Sequence, residues 1–420
     1  MKFKKYIHVT IWTIFFLKGI FQILGLYPDR LNFIALVLIV FLLGLSILNK
    51  RIKTPFAYLI LLIAIVSIIS GPIINKISII DYFFFFRQLL LLPLLYLIIV
   101  INENDDNIIK SIKYTILFFF ALQIPAGIIK FFIVGNIESY IGTVSMYEGS
   151  MTTMISLFGV SFFFSKYLFF KNKKYLLYLA MFVVFSQIGG KRAVLIYLPL
   201  MMLSIYFYYL KMRKINVSFL IKGIFLISIL GFSMVYSIVR LNPTLNPEKK
   251  VGGSFDINYT IEYVGIYTNS ATSIYEYSRP QALVYFINYM FEKPIPVLLF
   301  GEGAGKFAKD TTMEVDPIEY FYGIRYGGRV AIVWVFLQIG LIGTLLYIYL
   351  FYKMLLFVLN YKPITYHHFV FFGIWIAVIL DIFTYSMVSI RFFIINGSLF
   401  FYFGLFYRDV KFKKDFLINN

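Results

Sequence analysis

The residues of this chain best suited to chemistry are cations and glycines that meet an apolar pattern at its edges. Lys191 and Arg192 in GGKR, Arg329 in GGR and Arg391 in SIR each stand where a long apolar run begins. A helix N-terminus already carries partial positive charge and free N–H groups, so a cation there is locally unfavourable unless an anion joins it. The other assignment for each is an anchor reaching lipid headgroup phosphates. Between them lies GEGAGKF, in which Gly301, Gly303 and Gly305 permit tight turning and close backbone approach. Their N–H groups could cradle an anion beside Lys306. The turn is not a Walker loop, because Phe300 and Phe307 replace the first Gly and the Ser or Thr. It is not a dinucleotide fingerprint either, since the spacing is G-x-G-x-G without a βαβ unit. No cysteine is present, His8, His367 and His368 lie far from the turn, and the carboxylates match no calcium loop, so neither a metal nor a cofactor is expected.

The elements that must position these groups are membrane spans. The chain has 420 residues, is 60% hydrophobic and 20% aromatic, and has a mean hydropathy of +0.83. Apolar windows of roughly 18 to 23 residues indicate helices rather than barrel strands, so the expected class is an all-α polytopic membrane protein. About twelve spans can be drawn, at roughly 7–26, 31–48, 55–70, 79–101, 114–134, 151–169, 175–189, 193–210, 218–239, 330–352, 366–386 and 390–407. This divides the chain into an N-terminal bundle (1–239), one large extracytoplasmic loop between the ninth and tenth spans (240–329) and a C-terminal bundle with a cytoplasmic tail (330–420). The start, MKFKKY, runs into an apolar stretch too long for a signal peptide, so the first span is expected to be retained.

Short cytoplasmic loops collect Lys and Arg. One set of faces carries 21 of them, among them Lys2, Lys50, Lys113, Lys166, Lys174, Arg213, Lys362 and Arg408. The opposite short loops carry six: Arg30, Lys76, Lys130, Lys191, Arg192 and Arg391. Both termini are therefore expected in the cytoplasm and the large loop outside. The net charge of +19 is largely this topology signal, which removes the case for nucleic-acid binding.

Arg87 falls inside the fourth span, about 9 Å along a helix from Asp81. A mid-span Arg should face the bundle interior and have a partner. Asp381 and a bound ligand are the two options. Lys18 and Gln123 pose the same question. In the large loop, SRPQALVYFINYMFEKPI has the spacing of an amphipathic helix, with Arg279 at its N-terminal end.

The order GGKR, an outer loop with an Arg-led helix, LLFGEGAGKF, then VFLQIGLIGTLLYIYLFYK with its Gly340 and Gly343 step, resembles the O-antigen ligase and Wzy-type polysaccharide polymerase superfamily. Ligases of that group carry a His after the glycine-rich turn. Here TTMEVDPIEYFYGIRYGGR has none, which favours polymerase over ligase.

The resemblance implies glycosyl transfer at the outer face of a bacterial plasma membrane, between oligosaccharides carried on undecaprenyl pyrophosphate. Arg192, Arg279, Arg325 and Arg329 would then hold the leaving pyrophosphate, because guanidinium groups bind phosphate oxygens bidentately. Glu319 would serve the attacking hydroxyl, with Asp316, Glu314 and Glu302 behind it; Glu319 lies closest in sequence to Arg325 and Arg329. Tyr-rich EYFYGIRY suits a saccharide platform or an interfacial belt. Partners implied are membrane lipid, a flippase and a chain-length regulator. The rivals are a flippase for the same lipid-linked units and a ligase-type transferase.

Overall fold

A computed structural model describes residues 56–89, 93, 96, 106–134, 150–188, 193–213, 217–241, 243, 245–269, 279–307, 330–361, 365–384 and 393–418. Within them the chain is helical and contains no strand. The helices are α1 Ala57–Ile68, continued by a π-helical segment Ile69–Ile74, then α2 Ile79–Leu89, α3 Asp106–Val134, α4 Ser150–Phe170, α5 Lys174–Ile188, α6 Ala193–Arg213 and α7 Val217–Leu241. There follow α8 Ile257–Asn269, α9 Arg279–Phe291, α10 Ile295–Phe300, α11 Ala331–Asn360, α12 Tyr366–Thr384 and α13 Phe393–Ile418.

Among the described residues, six stretches are long and apolar enough to cross a membrane: Ala57–Ile74, Thr152–Phe170, Ala193–Met212, Gly223–Arg240, Ala331–Asn360 and Tyr366–Thr384. Two further apolar helices, Ile116–Ile129 and Lys174–Phe185, are shorter. This is the architecture of a helical membrane protein. The expected spans 7–26 and 31–48 lie outside the described residues. Boundaries also move. The helix expected from 114 starts at Asp106, the one expected to end at 352 runs to Asn360, and 240–329 contains α8, α9 and α10.

α12 sits at the centre, packed against α4, α6, α11 and α13. Its Gly373 allows the closest approach, because a Cβ there would stand 2.2 Å from Ser161 Oγ and 2.5 Å from Ile205 Cδ1. The interior is aromatic: Phe158, Phe182, Phe369, Phe371 and Trp334 are fully buried. His367 and His368 are buried too, and His368 Nε2 meets Tyr208 Oη and the Val358 carbonyl.

α1 and α11 run antiparallel, with Phe56 near Phe357 at one end and Ser70 bonded to Gln338 near the other. At 1.5 Å per residue, unbroken α11 would be about 45 Å long. It is broken at Gly340, whose φ of 64° and ψ of −167° are non-helical. The remainder, Leu341–Asn360, spans about 30 Å, the thickness of a bilayer's hydrocarbon core. Pro72 causes the matching irregularity in the partner, since it lacks an N–H and lies where the α-helix widens into the π-helical segment.

Candidate functional site: the glycine-rich turn

The chain enters the site through Pro294 and the single-turn α10, which packs on α11, and then forms the turn Gly301–Phe307. Breaking α11 at Gly340 removes the helical donors for the carbonyls of Leu337 and Gln338. The turn and the π-helical segment replace them. Glu302 N–H donates to Leu337 O at 2.8 Å, and Ser70 Oγ donates to Gln338 O at 2.7 Å. Ala304 N–H donates to Ser70 Oγ at 3.2 Å, and Asn75 Nδ2 ties Ser70 O (2.7 Å) to Gly301 O (3.2 Å).

Gly305 N–H donates to Gln338 Oε1 at 2.7 Å, and Trp334 Nε1 donates to Phe307 O at 3.2 Å. Phe85 of α2 stacks on Trp334 with centroids 5.5 Å apart. Gly305 has a φ of 109°, and a Cβ there would stand 2.7 Å from the Asp81 carbonyl carbon and the Tyr82 nitrogen. Backbone polar groups buried in a membrane protein must find protein partners. Here they do so across three elements distant in sequence.

Of the three glycines read as an anion cradle, Gly301 and Gly305 spend their N–H groups on protein acceptors. The N–H groups of Gly301, Glu302, Ala304, Gly305 and Lys306 all donate to protein acceptors, and Gly301, Gly303, Ala304, Gly305 and Phe307 are buried. Lys306 is also committed, with its Nζ 2.8 Å from Glu302 Oε2.

Glu302 is the hub of a small clasp. It accepts a hydrogen bond from Tyr289 Oη of α9, and Lys293 Nζ lies 3.6 Å from Oε1 and 4.1 Å from the Tyr289 ring centroid. Burial alone would push the Glu302 carboxyl up. Lys306, the Tyr289 hydroxyl and the Lys293 charge outweigh it and hold the group below the ordinary carboxylate range. Glu302 is thus a weak base, fixed in structure, which argues against it as acceptor of a substrate proton.

Arg279 opens α9 and Arg87 lies within α2. The other candidates, Lys191, Arg192, Glu314, Asp316, Glu319, Arg325 and Arg329, lie outside the described residues, as does Arg391. Their flanks are informative, however. The chain leaves the turn at Phe307 and re-enters α11 through Val330, and the Trp334–Phe307 bond joins these two points. The segment carrying Glu319, Arg325 and Arg329 therefore starts and ends at this site.

Six polar participants were not singled out from sequence: Ser70, Asn75, Tyr289, Lys293, Trp334 and Gln338. Gln338 alone left a usable signal, a lone carboxamide in the apolar run VWVFLQIGLIG beside a glycine. No family model matches the chain, and no curated protein matches it either.

Proposed function

We propose that the chain is a glycosyltransferase that polymerises lipid-linked oligosaccharide repeat units of O-antigen, capsule or exopolysaccharide type. It would act at the outer face of a bacterial plasma membrane, with both termini in the cytoplasm and undecaprenyl-pyrophosphate-linked oligosaccharides as substrates. The observation that carries this reading is the clamped turn. It ties Phe307 to Trp334, so the described residues on either side of the stretch 308–329 meet at the turn, and that stretch supplies Glu319, Arg325 and Arg329 in sequence.

In the proposed reaction an acceptor sugar hydroxyl attacks the anomeric carbon of the growing chain. A new glycosidic C–O bond forms, and the bond from the anomeric carbon to the pyrophosphate oxygen breaks. The hydroxyl proton passes to a carboxylate, Glu319 in this reading, and undecaprenyl pyrophosphate departs with its charge held by Arg192 and Arg329. Arg279, Arg325 and Lys191 would also bind the substrate in this reading.

Deleting the gene tests it. Cells should then display single repeat units at their surface and no long chains. Repeat units trapped on the cytoplasmic leaflet would instead identify a flippase, and unchanged chain lengths would exclude both.

A further inference from the structure

Gln338 is fully buried, and the Gly305 N–H fixes which way its carboxamide faces: Oε1 must be the acceptor, so Nε2 is the donor end. That Nε2 is buried and has no acceptor among the described residues. Buried donors in folded proteins are almost always satisfied, by protein, by water or by a ligand. A second feature coincides with it. α11 breaks two residues further on, at Gly340, so a new helix start, Leu341, lies beside the same turn. The chain thus places a carboxamide whose Nε2 has no acceptor among the described residues at a helix break against the glycine-rich turn.

The surroundings decide the ligand's chemistry. Gly305, which bonds Gln338, also rests against the backbone of Asp81, whose Oδ2 accepts from Ser78 Oγ at 2.7 Å. The cations described at the turn, Lys306 and Lys293, are paired with Glu302. A neutral donor at a turn whose described lysines are already paired suits an uncharged acceptor such as a hydroxyl oxygen. It does not suit a phosphate, which would be desolvated without a counter-charge.

We propose that Gln338 Nε2 donates to a hydroxyl oxygen of a saccharide unit bound beneath the glycine-rich turn, making Gln338 a substrate-contacting residue. This rests on the polymerase reading for the identity of the saccharide, but the contact itself can be tested separately.

The experiment uses the purified full chain in detergent and, as probe, the free oligosaccharide released by mild acid from the host's own lipid-linked repeat units. Gln338→Glu keeps an oxygen for the Gly305 N–H and removes the donor; Gln338→Leu removes both. Wild-type protein should bind the probe, and Gln338→Glu should bind roughly tenfold more weakly at neutral pH while keeping the parent's elution profile. Protonating the introduced carboxyl restores an O–H donor, so lowering the pH should strengthen binding in this variant more than in wild type.

As a second measurement on wild-type protein labelled at glutamine nitrogen, the side-chain NH2 signal missing from Gln338→Leu should shift when the probe is added. If that variant does not fold, Gln338→Glu supplies the assignment. Equal binding by wild type and Gln338→Glu, no binding by wild type, or an unshifted signal would each overturn the proposal. Gln338-dependent binding in a chain whose deletion leaves polymer lengths unchanged would sustain the contact and defeat the polymerase reading.

Discussion

Replacing Gly340 with alanine should expel the glycine-rich turn. At the observed φ of 64° and ψ of −167°, an alanine is strained by about 1–3 kcal/mol. Its Cβ would stand 2.4 Å from both Gly301 N and Leu299 O, which are backbone atoms that cannot rotate aside. Overpacking of this kind adds about 1–3 kcal/mol. The chain's alternative is to straighten α11 and recover about 1 kcal/mol of helix propensity. Straightening returns the carbonyls of Leu337 and Gln338 to helical donors and releases Glu302 N–H and Ser70 Oγ. With the Gly305–Gln338 bond, three hydrogen bonds of about 1 kcal/mol each are then lost. Strain and overpacking together destabilise the docked turn by at least about 2 kcal/mol, so the population with the turn released rises roughly 30-fold or more. Because the chain has no cysteine, Ala304→Cys supplies a unique thiol at a position with 0% exposure. Its reaction with a membrane-impermeant maleimide should be roughly 30-fold faster when Gly340→Ala is added, provided that opening is fast relative to labelling. Identical labelling rates in the two proteins would refute the reasoning.

Three further outcomes are expected. The folded Glu302 carboxyl lies below its unfolded value, so its contribution to stability is complete above the ordinary glutamate value of about 4.3 and is lost as pH falls through the lower folded value. Thermal melts should therefore lose stability in that acid window in wild type and less so in Glu302→Gln. Gly373→Ala should lower the melting temperature by an amount equivalent to about 1–3 kcal/mol, since Ser161 and Ile205 leave no room; Gly231→Ala, whose Cβ would meet only Pro199 at 3.5 Å, should not. Arg192→Lys and Arg329→Lys should insert normally yet shorten or deplete polymer ladders, with alanine worse at both, because an ammonium cannot make the bidentate phosphate contact. Full ladders from both Lys variants would return these arginines to the role of lipid anchors.

Helix class and the polar interruption were legible from local signals. Apolar runs such as 57–74 and 366–384 need no tertiary information to be read as helices, and of the apolar spacing Leu283, Phe286, Ile287 and Met290 in α9 the structure buries Phe286 and Met290 and leaves Ile287 exposed. The role of GEGAGKF was not legible. Its glycines suggested a backbone open to an anion, whereas the donors are consumed by Ser70, Leu337 and Gln338, residues 30 to more than 200 positions away. Pairings at that separation leave no periodic trace. Gly340 was visible as a small residue in a span, but an isolated glycine in an apolar helix reads equally as close packing or as a break. Only the opposing turn decides between them. Lys306 likewise looked available for a ligand until Glu302, four residues earlier, was seen to hold it.

The polymerase account is tested most directly by reconstituting the purified chain in liposomes with undecaprenyl-pyrophosphate-linked repeat units from the same organism. Glycan length and released carrier would then be followed together. The account requires lengthening glycans, with one undecaprenyl pyrophosphate freed for every bond formed, and loss of both in Arg329→Ala. Repeat units that cross the bilayer without lengthening, or glycans that stay at one unit while wild-type protein remains folded, would contradict it.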